Sequence, residues 1–542
     1  MTSCSILLFH LVCCTLMGRF VTSSKPLSIL LLQSVPSTSH HIWAANLVKG
    51  LLRKGHHVHV VSTHETKVEG KLAENLTYKV FDGMMSSDDY EDYGPAQWEK
   101  YSVLHMAYIT YQWAIYGCYK AIKTNTAKEL LEMIKTVEFD VIVQDITLHQ
   151  CFYGLWEVAK GKPPIVGFMP LAAAPWLKDF VGGLSYPTVR TYVSSAMAKP
   201  VGLWQRTLNT LYYIADDLLR HYYFLPIVQL LAEEYVGNSL RPLHEIEKND
   251  ISIVLINSHC ATEAAIPLPP NALEVGGLQA QIVPPIARDV VVKTYPEQNM
   301  RIFLDEAKNG VIVLSLGSIA KWKTFGLDKI KTVILALSKL KQRVLWKLDV
   351  EVPFQIPNNV MIMKWIPQRK ILSHKNVKAI WNHAGLLSTQ EAIWEGIPLI
   401  AMPLIMDGKS IAEILVVKGV GIRLEYKTLS TRNIVHAVEQ IIYNKSYARN
   451  MKRLSDEFRD RPLLPLDLAV WGIEYAVRNP NGSLATPLKS QSWLEQNLID
   501  VYAFLFLNLF IILLIVCFVI KLLINFYCNR RYASKSYKSK QT

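Results

Sequence analysis

Residues 365–407 combine side chains suited to a phosphate, a ribose and a flat base within one short segment. The apolar run at 378–381 predicts a buried strand, followed by a small turn with His383 and Gly385 and a helix from about residue 386. Free backbone N–H groups and the positive dipole end at such a helix start receive a phosphate. We expect the side chains of His383 and Ser388 to add hydrogen bonds to that anion site.

The same segment offers contacts for the rest of a nucleotide. The Glu391 carboxylate suits the vicinal hydroxyls of a ribose, as acidic residues do in dinucleotide sites. Trp365 offers a flat face for a base, and Gln368 offers amide groups for the base edge or the ribose. The alternative is an ordinary strand, turn and helix of an α/β core, with Trp365 as a core side chain.

The segment resembles the donor signature of the family 1 UDP-glycosyltransferases, and Gly317 and Ser318 in VIVLSLGS match the upstream phosphate loop of that family. The resemblance runs from VPSTSHHIWAANLVKGLLRKGHHVHVVS, through LEVGGLQ, to FRDRPLLPLDLAVWGIEYAVR. It implies that uracil stacks on one aromatic face and that amide and carboxylate groups hold the ribose. The donor-binding residues that it implies are Ser318, Trp365, Gln368, His383, Gly385, Ser388, Glu391 and Asp407.

Sugar transfer to a hydroxyl needs a base for the acceptor proton, and the turn after the first strand, LSILLLQ, offers one. Histidine titrates near neutral pH, and the family's P-S-x-S-H turn carries over onto His40, with His41 as the substitute. The orienting carboxylate is expected at the end of FDVIVQD, which is Asp145; Asp140 begins that strand and is expected to be structural. The resemblance implies direct displacement with inversion at the anomeric carbon.

The chain departs from the family pattern at several positions. Gly408 follows Asp407 where glutamine is usual, Ile411 replaces an asparagine, and Asn382 precedes the histidine in place of threonine or serine. A lost hydrogen bond to a charged group costs about 1.5 to 3 kcal/mol, so donor affinity or sugar choice is expected to change. Two further exchanges, Ala384 for glycine and Glu395 for histidine, are expected to be harmless.

The two ends of the chain are hydrophobic. Residues 1–23 resemble a secretory signal, and the run at 501–520 is long enough to cross a bilayer. The basic tail at 521–542, which ends in a dilysine-like KSKQT, predicts a cytosolic terminus. Together with sequons at Asn75, Asn444 and Asn481, this predicts a single-pass type I protein of the endoplasmic reticulum membrane with a luminal body.

With 542 residues the chain exceeds one ordinary domain. Alternating strands and helices predict an α/β domain at 24–285, a Pro-containing linker at 282–288 and a second α/β domain at 286–485 that ends in a returning helix. The resemblance implies the GT-B architecture, two facing Rossmann-like domains with a cleft between them. The aromatic-rich helical stretch at 205–235 is interpreted as core packing, with an acceptor wall or a membrane-facing surface as alternatives.

The formal charge of +13 gives little support for a nucleic-acid partner, because six of the basic residues follow the predicted span. Outside the two ends only Cys118, Cys151 and Cys260 remain, which predicts no disulfide framework. No paired Cys/His spacing suggests a metal site.

The leading hypothesis is therefore transfer of a hexose, with glucose ahead of glucuronate, from a UDP-sugar to a small lipophilic hydroxyl compound for detoxification or clearance. UDP-sugar is a co-substrate, and no cofactor is expected. The alternative is a weak or inactive homologue that binds lipophiles or pairs with active family members; oligomeric state stays open. A nucleotide-sugar epimerase or dehydrogenase is disfavoured, since no G-x-G-x-x-G follows the first strand.

Overall fold

The computed structural model describes residues 25–539 apart from residues 67, 69, 85–93, 282–294, 319, 481 and 483. The predicted signal at 1–23, the predicted linker at 282–288 and the sequon at Asn481 therefore lie outside the described residues. The chain forms two compact units, Met1–Ala485 and Thr486–Thr542. The larger unit contains two separate β-sheets, both entirely parallel.

The first sheet has seven strands in the order β3-β2-β1-β4-β5-β6-β7. Its strands are β1 Ser28–Gln33, β2 His57–Ser62, β3 Leu76–Val80, β4 Val141–Asp145, β5 Ile165–Met169, β6 Ile251–Ile256 and β7 Ala272–Glu274. Alternate residues of β1 point to opposite faces, and both faces are buried: Leu30 and Leu32 join one apolar cluster, Ile29 and Leu31 another. Burial on both faces explains the nearly continuous apolar runs of these strands.

Helices on both faces connect these strands. They are α1 Thr38–Arg53, α2 Pro95–Trp98, α3 Val103–Ala121, α4 Asn125–Thr136, α5 Gly154–Val158, α6 Leu177–Val181, α7 Gly202–Leu219, α8 Leu225–Val236, α9 Leu243–Asp250 and α10 Leu278–Gln281. A single π-helical turn, Arg220–Phe224, joins α7 to α8. The predicted helical stretch at 205–235 is thus two helices.

The second sheet has six strands in the order β10-β9-β8-β11-β12-β13. Its strands are β8 Val311–Leu314, β9 Arg343–Lys347, β10 Val360–Met363, β11 Val377–Asn382, β12 Leu399–Ala401 and β13 Gly421–Arg423. Its helices are α11 Tyr295–Asp305, α12 Leu327–Leu337, α13 Gln368–Leu372, α14 Leu386–Glu395, α15 Gly408–Val417, α16 Thr431–Tyr443 and α17 Lys445–Arg459. Two doubly wound, Rossmann-like sheets confirm the predicted fold class.

Each sheet reverses its strand order once. In the first sheet the reversal lies between β1 and β4, which pair in parallel, and in the second it lies between β8 and β11. Open α/β sheets bind their ligands beyond the carboxyl ends of the strands at such a switch point. Ligand sites are therefore expected at the segments that follow β1 and β4 and at those that follow β8 and β11.

The last helix of the larger unit, α18 Pro465–Arg478, returns to the first sheet. Its apolar face joins the cluster formed by β1 and α1. The Leu466 side chain lies so close to Gly50 that a Cβ there would stand 2.6 Å from it. The Glu474 carboxylate accepts a hydrogen bond from His56 at 3.2 Å. Helix α18 therefore ties the end of the second domain to the first.

One disulfide overturns the prediction of no disulfide framework. Cys118 at the end of α3 pairs with Cys151 in the 3-10 turn Gln150–Phe152, across 33 positions of sequence. Counting three cysteines gave no pairing, because the two partners are brought together only by packing of α3 on the segment after β4. The bond ties this segment, which begins directly after Asp145, to α3.

The second unit contains the 3-10 turn Pro487–Ser490, the short helix α19 Trp493–Gln496 and the long helix α20 Ile499–Ser539. Within α20 the segment Ile499–Arg531 is long and apolar enough to cross a membrane, and its side chains are not buried inside the protein. This helix is the apolar C-terminal element that the sequence predicts.

Candidate active site

His40 and Asp145 meet at the switch point of the first sheet. Nδ1 of His40 lies 2.7 Å from Oδ2 of Asp145, and both side chains are buried. The second carboxylate oxygen, Oδ1, accepts a hydrogen bond from the backbone N–H of Thr147 at 3.0 Å. With Nδ1 engaged by the carboxylate, the imidazole carries its proton there and leaves Nε2 as the basic atom.

His40 lies in the first turn of α1 (Thr38–Arg53), whereas the sequence placed it in the preceding turn. His41, its predicted substitute, points elsewhere: its Nδ1 is 3.0 Å from the Ser62 hydroxyl and its Nε2 is 2.8 Å from the Thr66 hydroxyl. Burial lowers the pKa of His41 to about 4. Asp140 accepts a hydrogen bond from the backbone N–H of Ser28 at 2.7 Å, so it fastens the edges of two strands.

The phosphate loop after β8 packs against His383. Gly317 has a φ of +79°, and a Cβ on it would stand 2.5 Å from the imidazole of His383. A Cβ on Gly385 would stand 2.4 Å from the same ring, so the imidazole packs tightly between Gly317 and Gly385. Ser318 follows Gly317 on this loop, which lies at the carboxyl end of β8. Burial lowers the pKa of His383 to about 4, so its ring is neutral, and its buried Nδ1 has no hydrogen-bond partner among the described residues.

Four polar side chains form a connected group at the start of α14. Gln368 donates from Nε2 to the Ser388 hydroxyl at 2.9 Å and to the Glu391 carboxylate at 2.8 Å. Asn382 donates to the same hydroxyl at 3.0 Å. Burial raises the pKa of Glu391 to about 7, and the hydrogen bond from Gln368 acts in the opposite direction. These contacts fix the carboxylate and the hydroxyl in one orientation at the helix start.

Trp365 and Lys347 stand together at the outer end of this group. The indole of Trp365 is 56 % exposed, which argues against a role as core packing. The Lys347 ammonium lies 4.4 Å from the centroid of that ring and donates to the carbonyl oxygen of Gly317 at 2.7 Å. Burial lowers the pKa of Lys347 to about 8. A cation therefore links the exposed aromatic face to the phosphate loop.

Ala384, which stands where the family pattern has glycine, adopts an unfavourable backbone conformation. Ala384 has a φ of +61°, the left-handed region in which a side chain costs roughly 1 to 2 kcal/mol. Asn382 compensates in part, because its Oδ1 accepts a hydrogen bond from the backbone N–H of Ala384 at 3.0 Å. This backbone conformation was not visible in the sequence, and the expectation that the exchange is harmless by comparison with those at 408 and 411 stays a prediction.

Gly408 opens helix α15 beside the same turn. A Cβ at Gly408 would stand 2.8 Å from the carbonyl oxygen of His383, closer than side chains approach backbone oxygens. Asp407 precedes it, and burial raises the pKa of Asp407 to about 6. The absence of glutamine at position 408 is therefore matched by a backbone that leaves no room for it.

A cavity of about 120 Å³ lies between the two domains and is mostly apolar. Tyr111, Trp176 and Tyr192 contribute to its wall from the first domain, and Asp407 and Ile411 from the second. Asp407 is also near enough to His40 for the two side chains to interact electrostatically, although His40 itself does not line the cavity. The Ile411 side chain adds an apolar surface where the family pattern has an amide.

Direct hydrogen bonds hold the two domains together beside this cavity. Gln390 of α14 accepts from the backbone N–H of Gly277 at 3.1 Å and donates to the Asn257 carbonyl at 2.9 Å. Ser410 of α15 donates to the Val193 carbonyl at 3.1 Å. These bonds join the second domain to the first at the edge of the cleft.

Two residues of the site, Lys347 and Asn382, were not predicted from the sequence to act there; Asn382 was seen only as a departure from the family pattern. Lys347 is the last residue of β9, and the rule that ligands bind beyond the carboxyl ends of strands gave a signal for it. The double role of Asn382 could not be predicted, because its two partners, the Ser388 hydroxyl and the Ala384 N–H, meet it only once the turn has formed. In contrast, the structure brings together His40 with Asp145, and Gln368 with Ser388 and Glu391.

Two doubly wound domains with a cleft between them define the class of the fold, the two-domain GT-B architecture. The structure of spinosyn forosaminyltransferase SpnP has this fold, with a TM-score of 0.54 and 15% identity over 84% of this chain and all of that chain.

Residues 30–538 match the family model described as UDP-glucoronosyl and UDP-glucosyl transferase, and the chain belongs to this family. UDP-glucosyltransferase 2 of Dactylopius coccus is 29% identical over 538 residues, which cover 98% of this chain and 99% of that protein. UDP-glucuronosyltransferase 2B1 of Rattus norvegicus is 29% identical over 525 residues, which cover 93% and 94% of the two chains.

The protein is thus a UDP-glycosyltransferase, as the sequence predicted. Enzymes of this family use a UDP-sugar as substrate and need no cofactor. The apolar helix Ile499–Arg531 is compatible with membrane anchoring.

Proposed function

We propose that the protein transfers glucose from UDP-glucose, with inversion, to the hydroxyl of a small lipophilic compound for detoxification or clearance. The observation that carries the proposal is the buried contact of 2.7 Å between His40 and Asp145 at the switch point that faces the donor domain. Nε2 of His40 takes the proton of the acceptor hydroxyl as its oxygen bonds to the anomeric carbon. The bond from that carbon to UDP breaks, and UDP leaves with both electrons.

The donor domain supplies the site for the leaving diphosphate. Backbone N–H groups at the start of α14 and the hydroxyls of Ser318 and Ser388 would contact its oxygens, with neutral His383 as a further donor. Trp365 would stack on uracil, and the ribose hydroxyls would bond to Gln368 and Glu391. Lys347 would add positive charge beside the phosphate loop without contacting the reacting atoms.

The acidic character of the sugar end supports glucose over glucuronate. Asp407 would bind sugar hydroxyls, and Glu263 interacts with it electrostatically from the cavity wall. Glu263 is paired with Arg190, so the carboxylate of a uronic acid would face Asp407 as the acidic side chain without an ion pair among the described residues, and like charges at short range repel. The relatives do not decide the sugar, because a glucosyltransferase and a glucuronosyltransferase are equally identical to the chain.

The apolar lining of the cavity supports a lipophilic acceptor, since aromatic and aliphatic walls stabilise apolar ligands by removing them from water. The disulfide between Cys118 and Cys151 supports an oxidising compartment, in agreement with a luminal body and a type I anchor in the endoplasmic reticulum membrane.

A second candidate function is binding without transfer, as a weak or inactive homologue. Gly408 and Ile411 favour it, because both remove polar groups from the expected sugar site.

Membranes from cells that express the full chain distinguish the two functions. UDP release and product formation would be followed with UDP-glucose, UDP-glucuronate, UDP-galactose and UDP-N-acetylglucosamine, beside His40→Ala and the control Asp140→Asn. Transfer from UDP-glucose that disappears only in His40→Ala supports the proposal. UDP binding without transfer from any donor supports the second function, and transfer from UDP-glucuronate alone refutes the choice of sugar.

A further inference from the structure

Helix α7 (Gly202–Leu219) buries polar side chains and exposes apolar ones. Its buried residues are Asn209, Tyr213 and Asp216. Asp216 accepts hydrogen bonds from the hydroxyls of Tyr111 at 3.1 Å and Tyr192 at 2.9 Å. The Asn209 amide bonds to the backbone of the segment that precedes α7. Asn209 and Asp216 thus occupy inward positions that apolar side chains usually fill, while Gln205, Arg206 and Thr207 near the start of the helix are exposed.

The outward side of α7 carries apolar side chains spaced three and four positions apart. Trp204 is 76 % exposed, and Leu211, Ile214 and Leu218 follow at helical spacing. Every residue of α7 is described, and within this helix the only polar side chain on that arc is Thr207. We refer to Trp204, Leu211, Ile214 and Leu218 as the outer stripe of α7. Exposed apolar surface in such a continuous row marks an interaction site.

The neighbouring elements extend the outer stripe with aromatic residues. Tyr222 in the π-helical turn is 81 % exposed, and Leu230 of α8 is exposed as well. Helix α3 packs beside α7 and exposes Tyr108, whose ring lies 5.6 Å from that of Tyr223. Tryptophan and tyrosine are the residues enriched where a protein meets the headgroup region of a bilayer.

The outer stripe of α7 binds the surface of a lipid bilayer, we infer, with Leu211, Ile214 and Leu218 inserted at the boundary between headgroups and acyl chains. The inference rests on the proposed function for its consequence, the route of the acceptor, but not for the binding itself. A helix that lies in this boundary inserts its apolar face there, and the outer stripe is the exposed apolar face of α7.

A bilayer is favoured as occupant over a second copy of the chain because the chain carries its own membrane-spanning candidate. Residues 486–498 alone separate the larger unit from the apolar segment Ile499–Arg531. A tether this short keeps the local concentration of lipid surface high, so that even a small apolar area binds. A second copy would have to be brought to the outer stripe by diffusion within the membrane.

The position of α7 gives this contact a function. Its inner residues Tyr213 and Asp216 line the interdomain cavity, whereas its outer stripe faces away from the protein. One helix therefore separates the cavity from the proposed lipid surface. A lipophilic acceptor dissolved in the bilayer would reach the cavity past the ends of α7 without crossing bulk water, which raises its effective concentration at the site.

Quenching by brominated lipids tests the contact on the full chain reconstituted in vesicles. Every cysteine except Cys118 and Cys151 would be serine, and single cysteines at Leu211 or Leu218 would carry an environment-sensitive fluorophore. Leu335 on α12 is the matched control, because it is 50 % exposed and Leu211 is 55 % exposed. The expected result is a several-fold greater loss of fluorescence at positions 211 and 218 than at 335.

Equal or absent quenching at 211 and 335 would overturn the inference, and so would excimer formation between pyrene labels at position 211, which would assign the stripe to a second copy. Quenching is measured without substrate, so it supports the contact even if the chain transfers no sugar. In an active chain, Leu211→Asp with Leu218→Asp should raise the KM for a vesicle-dissolved acceptor several-fold and leave the KM for the UDP-sugar unchanged. An unchanged acceptor KM would overturn the proposed route.

Discussion

Replacement of Asp145 by asparagine tests how the pair with His40 works. In the native protein Oδ1 of Asp145 accepts from the Thr147 N–H at 3.0 Å, and Oδ2 accepts from His40 at 2.7 Å. An asparagine keeps its oxygen on the Thr147 N–H and turns its NH₂ group toward His40. Nδ1 must then accept a hydrogen bond, which moves the imidazole proton to Nε2, the atom that is needed as base.

The size of the effect follows from the two contacts. Flipping the amide to restore the tautomer leaves the buried Thr147 N–H unpaired, and the imidazolium formed during transfer loses its carboxylate. The unpaired N–H costs about 1 to 3 kcal/mol and the lost carboxylate about 1.5 to 3 kcal/mol, so the barrier rises by roughly 2.5 to 6 kcal/mol. We therefore expect kcat to fall by roughly 10²- to 10⁴-fold. The KM for the UDP-sugar stays unchanged, because the donor contacts lie in the other domain.

Initial rates of UDP release at saturating acceptor measure the fall in kcat, with Asp140→Asn as the control. Asp140 sits on the same strand edge and loses one exposed contact to Ser28, so its kcat should stay within a few-fold of wild type. If Asp145→Asn keeps kcat within ten-fold, the orienting role is refuted. An equal loss in Asp140→Asn would mean that the first sheet, and not the histidine, has been disturbed.

Three further predictions concern the donor domain. Gly408→Ala places a Cβ 2.8 Å from the His383 carbonyl oxygen, an overpacking cost of about 1 to 3 kcal/mol. Calorimetry should therefore show UDP binding that is roughly 5- to 150-fold weaker. An unchanged Kd would show that the loop moves to make room for the side chain. Lys347→Met removes a charged hydrogen bond to Gly317 worth about 1.5 to 3 kcal/mol and should weaken UDP binding by at least ten-fold, whereas Lys347→Arg should keep most of it. Glu391 has a folded-state pKa raised from 4.5 to about 7, so the folded protein loses about 3 kcal/mol of stability as pH rises through that window. Glu391→Gln should match wild type in thermal denaturation at pH 4 and exceed it at pH 8, with weaker UDP binding; identical pH dependence in both would contradict this reasoning.

The fold and most of the residues of the candidate site were predictable because their signals are local. Apolar runs followed by small or polar turns mark the ends of parallel strands, and a parallel sheet brings those ends to one edge. His40 and Asp145 are 105 positions apart, yet His40 follows β1 and Asp145 ends the neighbouring strand β4, so the topology brings them together. Ser388 and Glu391 share a helix start within a single segment.

Other features depend on packing between distant parts of the chain, and the sequence carries no local sign of them. The Cys118–Cys151 pair requires α3 to lie on the segment after β4. The stretch at 205–235 was interpreted as core, because aromatic and aliphatic residues are usually buried. Its inner face is polar only because hydroxyls from Tyr111 and Tyr192 meet Asp216 there, a contact that cannot be read from the helix itself.

The turn after β11 shows that the departures from the family pattern at 382, 384 and 408 depend on one another. Considered singly, each removes a polar contact, and restoring Gly408 to glutamine and Ile411 to asparagine would be expected to raise activity. In the structure the carbonyl of His383 occupies the space that a side chain at 408 needs, and Asn382 stabilises the left-handed Ala384 that sets the course of this turn. The residues at 382, 384 and 408 therefore form one coupled set, so glutamine at 408 should lower activity unless the turn changes with it. A donor site remodelled as a unit is easier to reconcile with an altered sugar preference than with gradual loss of function, because a degraded site gains nothing from matched exchanges.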